Sequence, residues 1–189
     1  MKENESTKQN NINERVYNRG IDRLRSPARV EKLEVDRVVE LNSGKNVKSV
    51  LDIGTGSGLF AENFHKNGIR VAGIDRNPEM IEAAKQLVSG EFKVAPAEEI
   101  PFKDNSFDLT FFGVVFHEVD DYAKALSEAF RVSSFGTSIL EWDYKQEEFG
   151  PPIEHRLKPD FIKTLAEKTG YKKFEAIRLN HLVLYKLSK

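Results

Sequence analysis

The sequence predicts an α/β fold: a doubly wound, mostly parallel sheet with an antiparallel strand at its end, preceded by short helices. Three observations predict it. Short apolar strand-like segments alternate with helical ones from Lys48 onward, and such alternation implies right-handed crossovers between parallel strands. A run of alternating glycines follows the first strand directly. Two strand-like runs then close the chain with only Asn180 between them, a link that permits only an antiparallel hairpin.

The elements follow in order. Val16, Ile21 and Leu24 mark a weak apolar stripe over Asn13–Leu24. Ser26-Pro27 reads as an N-cap with proline at the first helical position, opening one helix that runs to Leu41 with Val30, Leu33, Val38 and Leu41 on one face. Lys48–Ile53 is the first strand. Leu59–Asn67 is helical and stops at Gly68, a residue suited to the left-handed position after a helix. Arg70–Asp75 is the second strand, and Asn77-Pro78-Glu79 starts a helix carrying Met80, Ile81, Ala84 and Leu87. Phe92–Ala95 and Phe107–Phe112 are the third and fourth strands, Val119–Val132 a helix, and Thr137–Trp142 the fifth strand. A helix over Pro159–Thr169 and strands over Phe174–Leu179 and His181–Leu187 complete the chain. The expected organisation is a disordered polar tail over residues 1–12, N-terminal helices over 13–45, and one domain over 46–189.

Composition narrows the function classes. The chain has 189 residues, enough for one well-cored domain, with 29 Lys+Arg against 30 Asp+Glu. This balance argues against nucleic acid as an obligate partner, since phosphate binding leaves a basic excess or face. Arg15, Arg19, Arg23, Arg25 and Arg29 recur near the N-terminus and read as a solvated helical face. With no cysteine, disulfides, thiolate metal sites and a cysteine nucleophile are excluded, and a cytoplasmic setting is expected. No stretch approaches the roughly 20 apolar residues of a membrane span.

The informative segment is VLDIGTGSGLF, residues 50–60. Gly54, Gly56 and Gly58 sit at the carboxyl end of the first strand, where open α/β sheets bind ligands. The spacing discriminates among cofactors. A dinucleotide fingerprint would put its third glycine at position 59, which is Leu59, and no Lys-Ser/Thr pair of a P-loop follows. Asp75, at the end of the second strand, is placed to accept hydrogen bonds from both hydroxyls of a ribose.

Asp52–Gly58 followed by Gly73-Ile74-Asp75 resembles the class I S-adenosylmethionine-dependent methyltransferases. AEEIPFKDNSFDLTFFGVVFHEVDD (97–121), AL-x-E-x-x-RV (125–132) and Gly170-Tyr171 extend the resemblance to the UbiE-like subgroup. It implies a Rossmann-like, seven-stranded sheet with an antiparallel last strand, and S-adenosylmethionine as cofactor. The implied cofactor set is Asp52 and Gly54, Gly56 and Gly58 at the methionine end, Asp75 at the ribose, and Arg76, Met80, Ala97, Glu98 and Val114 around the adenine and its surroundings. Met80 is equally ordinary helix-core material. The subgroup often carries an Asp where this chain has Pro96, so Glu98 or the Ala97 amide would replace it.

The resemblance also implies transfer of a methyl group to a small-molecule acceptor; the alternative is a catalytically silent cofactor-binding sensor or partner subunit. His117, in VVFHEVDD, is the candidate base, set against a structural histidine bonded to nearby backbone. His117, Glu118, Asp120 and Asp121 read as helix capping in preference to a metal site. Acceptor contacts are expected from the connection after the fifth strand, through Trp142, Tyr144 and Arg156, and from Tyr17 in an N-terminal lid.

Overall fold

In the computed structural model, residues 20–189 are described. The predicted tail and Tyr17 lie outside them. Seven strands form one sheet in the order β3-β2-β1-β4-β5-β7-β6, where β1 is Ser49–Ile53, β2 Arg70–Asp75, β3 Glu91–Val94, β4 Phe107–Gly113, β5 Ser133–Trp142, β6 Lys173–Arg178 and β7 Leu182–Ser188. All pairings from β3 to β5 are parallel. β7 lies between β5 and β6 and runs against both. The terminal hairpin is therefore real, and its return strand is the one that docks on the parallel sheet.

Both faces of the sheet are covered, which is why its central strands read as continuous apolar runs. Alternate residues point to opposite faces. Phe111 packs with α4 (Leu59–Lys66), α5 (Pro78–Leu87) and the N-terminal α3 (Val35–Asn42), whereas Phe112 packs with α6 (Tyr122–Val132) and α7 (Pro159–Thr169). On the second face Thr110 and Thr137 share a hydrogen bond of 2.6 Å, and Thr137 also bonds the hydroxyl of Tyr171. The terminal Gly-Tyr motif thus closes α7, with Gly170 in the left-handed region, and ties it to the sheet.

Three expectations need correction. The single helix from Pro27 to Leu41 is two, α2 (Pro27–Lys32) and α3, because Glu34 adopts φ 48° and ψ 45°. The break lets Leu33 and Val35 both bury, and the Glu34 carboxylate accepts a hydrogen bond from the Asn180 amide at 2.7 Å. The helix expected from Val119 begins at Tyr122, after a 3-10 turn over Phe116–Glu118; Asp121 caps it by accepting from Lys124 N. The fifth strand, expected from Thr137, begins at Ser133 as β5. A bulge opposite β4 absorbs the extra residue, as Phe107 pairs with Ser133 and Leu109 with Gly136. Among the described residues the first helix is α1, over Ile21–Leu24. No helix among the described residues is long and apolar enough to cross a membrane.

Candidate functional site

The carboxyl ends of β1, β2 and β4 open onto a cavity walled by the glycine loop, by residues 75–77, 80, 95–98, 112–115, 118 and 119, and by Leu24, Arg29 and Leu33 of the N-terminal helices. Gly54, Gly56 and Gly58 all have positive φ, at 69°, 53° and 79°. At Gly54 the requirement is also steric, since a Cβ would stand 2.6 Å from Val115 Cγ2. The loop therefore packs tightly against the segment after β4. In that segment Val114 holds φ 60°, a conformation a β-branched residue adopts only under constraint, and its amide donates to Leu140 O at 2.9 Å.

Two carboxyls flank the loop. Asp52 is 1% exposed, and its Oδ2 accepts from the Thr55 hydroxyl at 2.8 Å. Burial pushes its pKa up to about 7, against the opposing pull of that hydrogen bond. Asp75 accepts from Gly56 N at 2.8 Å through Oδ2 and from Asn77 N at 2.9 Å through Oδ1. Burial raises its pKa as well. Asp75 thus ties the middle of the glycine loop to the end of β2. Ser57 Oγ, in the same loop, is buried with no hydrogen-bond partner among the described residues.

The predicted cofactor set converges. Asp52, Gly54, Gly56, Asp75, Arg76, Met80, Ala97, Glu98 and Val114 all line the cavity. Gly58 stands just behind, as the N-cap residue of α4. Arg76 lies 3.1 Å from Asp120 in an exposed ion pair. Glu98 has a second task, its Oε1 accepting from the amides of Asp120 at 2.8 Å and Asp121 at 3.1 Å. The AL-x-E-x-x-RV motif resolves as a clamp on the neighbouring loop. Glu128 accepts from Ile100 N, while Arg131 donates to Ile100 O, Phe102 O and Asp104. Arg131 in turn holds the Glu128 carboxyl below the usual range.

The acceptor-side expectations fare differently. Arg156 is 5% exposed and does not reach the cavity; its guanidinium donates to Pro151 O, Asp143 O and Phe149 O, at 2.9, 2.9 and 2.7 Å. It is the internal brace of the loop after β5, because a buried guanidinium must spend its donors on what surrounds it. Trp142 is buried beside Phe149, and Tyr144 lies on the surface under Lys158; neither lines the cavity. The N-terminal arginines are not all a solvated face. Arg25 donates to Ser57 O at 3.0 Å and pairs with Glu62, and Arg29 lines the cavity. His117 is buried behind the wall. Its Nδ1 lies 2.9 Å from both carboxylate oxygens of Glu141, which is 1% exposed. Glu141 is the residue the sequence did not flag. Its one signal was an acid in the otherwise apolar end of a central strand.

Residues 51–139 match the family described as a methyltransferase domain. The ubiquinone/menaquinone biosynthesis C-methyltransferase UbiE of Desulfotalea psychrophila is 38% identical over 88 residues, 44% of this chain. The solved S-adenosylmethionine-dependent methyltransferase of Aquifex aeolicus superposes with a TM-score of 0.79 at 25% identity, over 88% of this chain and 95% of that one. The chain is thus similar to S-adenosylmethionine-dependent methyltransferases, in sequence over its central part and in fold over most of its length. A malonyl-[acyl-carrier protein] O-methyltransferase of Yersinia pestis also matches, 30% identical over 66% of this chain. The chain spans 36% and 47% of the length of those two curated relatives. Its site fits the family cofactor. A glycine cradle, the buried Asp52 and half-buried Asp75 carboxyls, and an orphaned serine hydroxyl offer acceptors and donors for an ammonium, a carboxylate and a ribose.

Proposed function

We propose that this protein is a methyltransferase that binds S-adenosylmethionine in the cavity and transfers its methyl group to a small-molecule acceptor in a cytoplasmic setting. The observation that carries the reading is Asp75 bonded to Gly56 N at the centre of the glycine cradle, with the buried Asp52 beside it. When bound, the cofactor supplies a methyl group on a sulfonium, and the protein's contribution is chiefly position. Asp52 meets the cationic amino group, Asp75 the ribose hydroxyls, and Met80, Ala97 and Val114 the adenine and its surroundings. Leu24 and Leu33 keep water from the outer side. A relative named for C-methylation in ubiquinone/menaquinone biosynthesis matches the chain, which supports a small acceptor.

A silent cofactor-binding role is the second reading. It is favoured by Pro96 at the adenine edge and by the engagement of Glu98 with the 120–121 backbone. Calorimetric titration with S-adenosylmethionine and S-adenosylhomocysteine, with NAD as control, tests both readings. Saturable binding of the first two alone is expected, and an acceptor screen then separates turnover from silent binding. Failure of both to bind at about millimolar concentration removes the cofactor assignment itself.

A further inference from the structure

Behind the cavity wall lies a chain of ionisable groups on which the cofactor assignment makes no demand. Glu118 lines the cavity. Its Oε1 stands 3.8 Å from His117 Nε2, and on the other side of the ring both oxygens of Glu141 stand 2.9 Å from Nδ1. Glu141 Oε1 further accepts from the His117 amide at 3.0 Å, and the Tyr122 hydroxyl donates to His117 O at 3.3 Å. The imidazole is therefore gripped through its ring, its amide and its carbonyl. A carboxylate acceptor at Nδ1 requires the ring proton to sit there, which leaves Nε2 as the acceptor nitrogen. A carboxylate orients a catalytic imidazole in the same way in hydrolytic triads.

We propose that Glu118, His117 and Glu141 form a proton-accepting relay from the cavity wall into the sheet, with Glu118 meeting the methyl acceptor and Glu141 the positioning residue that keeps the ring proton on Nδ1. The inference rests on the methyltransferase reading and narrows it, because it requires an acceptor whose nucleophilic atom carries a removable proton. That proton leaves for the Glu118 carboxylate and passes to His117 Nε2. The electron pair it leaves behind forms the bond to the methyl carbon, and the pair of the broken S–C bond remains on sulfur. The loose 3.8 Å separation is of the kind that closes, directly or through one water, when a site fills.

The test is nitrogen-15 NMR of the imidazoles at a pH of about 8, above the ordinary histidine range near 6.5. A His117→Gln spectrum identifies the His117 signals among the four histidines. In the wild type, a protonated Nδ1 and an unprotonated Nε2 are expected. In Glu141→Gln the amide can donate as well as accept, so the single tautomer should be lost to a mixture. In Glu118→Gln the tautomer should persist. Adding S-adenosylhomocysteine should move the Nε2 signal of the wild type but not that of Glu118→Gln, a response that a merely structural histidine would not give. A wild-type ring with its proton on Nε2, alone or with both nitrogens protonated, overturns the relay. So does a Glu141→Gln protein with an unchanged tautomer, or a bound wild type whose Nε2 signal stays still. If calorimetry shows no binding of S-adenosylhomocysteine, the methyltransferase reading fails, while the tautomer arms still decide the role of Glu141.

Discussion

Replacing Asp52 by asparagine isolates the burden of a buried carboxyl at the end of β1. Its pKa moves from 3.8 to about 7 in the folded chain, roughly three units, and each unit corresponds to about 1.4 kcal/mol. The folded state therefore holds the Asp52 proton where the unfolded chain has released it. Stability from this group is intact below a pH of 3.8, declines as pH rises, and is fully lost above about 7, by about 4 kcal/mol in all. Asparagine keeps the oxygen that accepts from Thr55 and has nothing to ionise. Denaturant unfolding of both proteins at pH 4 and pH 8 should give near-equal stabilities at the lower pH and an advantage to the variant of up to about 4 kcal/mol at the higher. A stability difference that does not change with pH would refute the burial argument. The same shift bears on the cofactor. A bound ammonium favours the ionised carboxyl, so wild-type affinity for S-adenosylmethionine should rise with pH up to about 7 and release protons on binding. Calorimetry in buffers of different ionisation enthalpy measures that release, and Asp52→Asn should abolish it.

Gly54→Ala should destabilise the fold by about 2–4 kcal/mol, combining positive φ with a clash against Val115, whereas Gly56→Ala, with its nearest atom 3.7 Å away, should cost only about 1–2 kcal/mol. Thermal melts rank the two, and a bulky residue at 56 should abolish cofactor binding without unfolding the chain. Arg156→Ala leaves three carbonyls unanswered and should lower stability by about 2–4 kcal/mol while sparing cofactor affinity, which parallel melts and calorimetry check. Glu128→Gln weakens the clamp on residues 100–104. Because Arg131 depresses the Glu128 pKa, wild-type stability from this pair should be present above about 4.5 and fade as pH falls, and the variant should lose that pH dependence.

The parallel core and the glycine cradle were legible in the sequence because they depend on local rules. Apolar runs bounded by glycine make buried strands, and three glycines at a strand–helix turn, with acids at the ends of the first two strands, leave few ligands to choose from. Helix boundaries slipped where tertiary demand outweighed local preference. Glu34 enters the left-handed region so that Leu33 and Val35 can both bury, and Ser133–Gly136 is drawn into β5 by its pairing with β4. Both demands come from what these residues pack or pair against in the folded chain.

The acceptor side divides along the same line. Trp142, Tyr144 and Arg156 are the residue types a substrate wall uses, yet composition cannot say where a long side chain ends. Only the folded loop reveals that Arg156 faces inward to its own carbonyls. His117 was singled out by its motif, but Glu141, 24 residues away, could be joined to it only through the adjacency of β4 and β5. By itself the sequence determined the layered sheet, the glycine cradle and the carboxyls at the strand ends, because each is encoded within a few consecutive residues. Tertiary structure decided which charged side chains face the cavity and which are spent on structure, because that choice depends on partners brought together from distant parts of the chain.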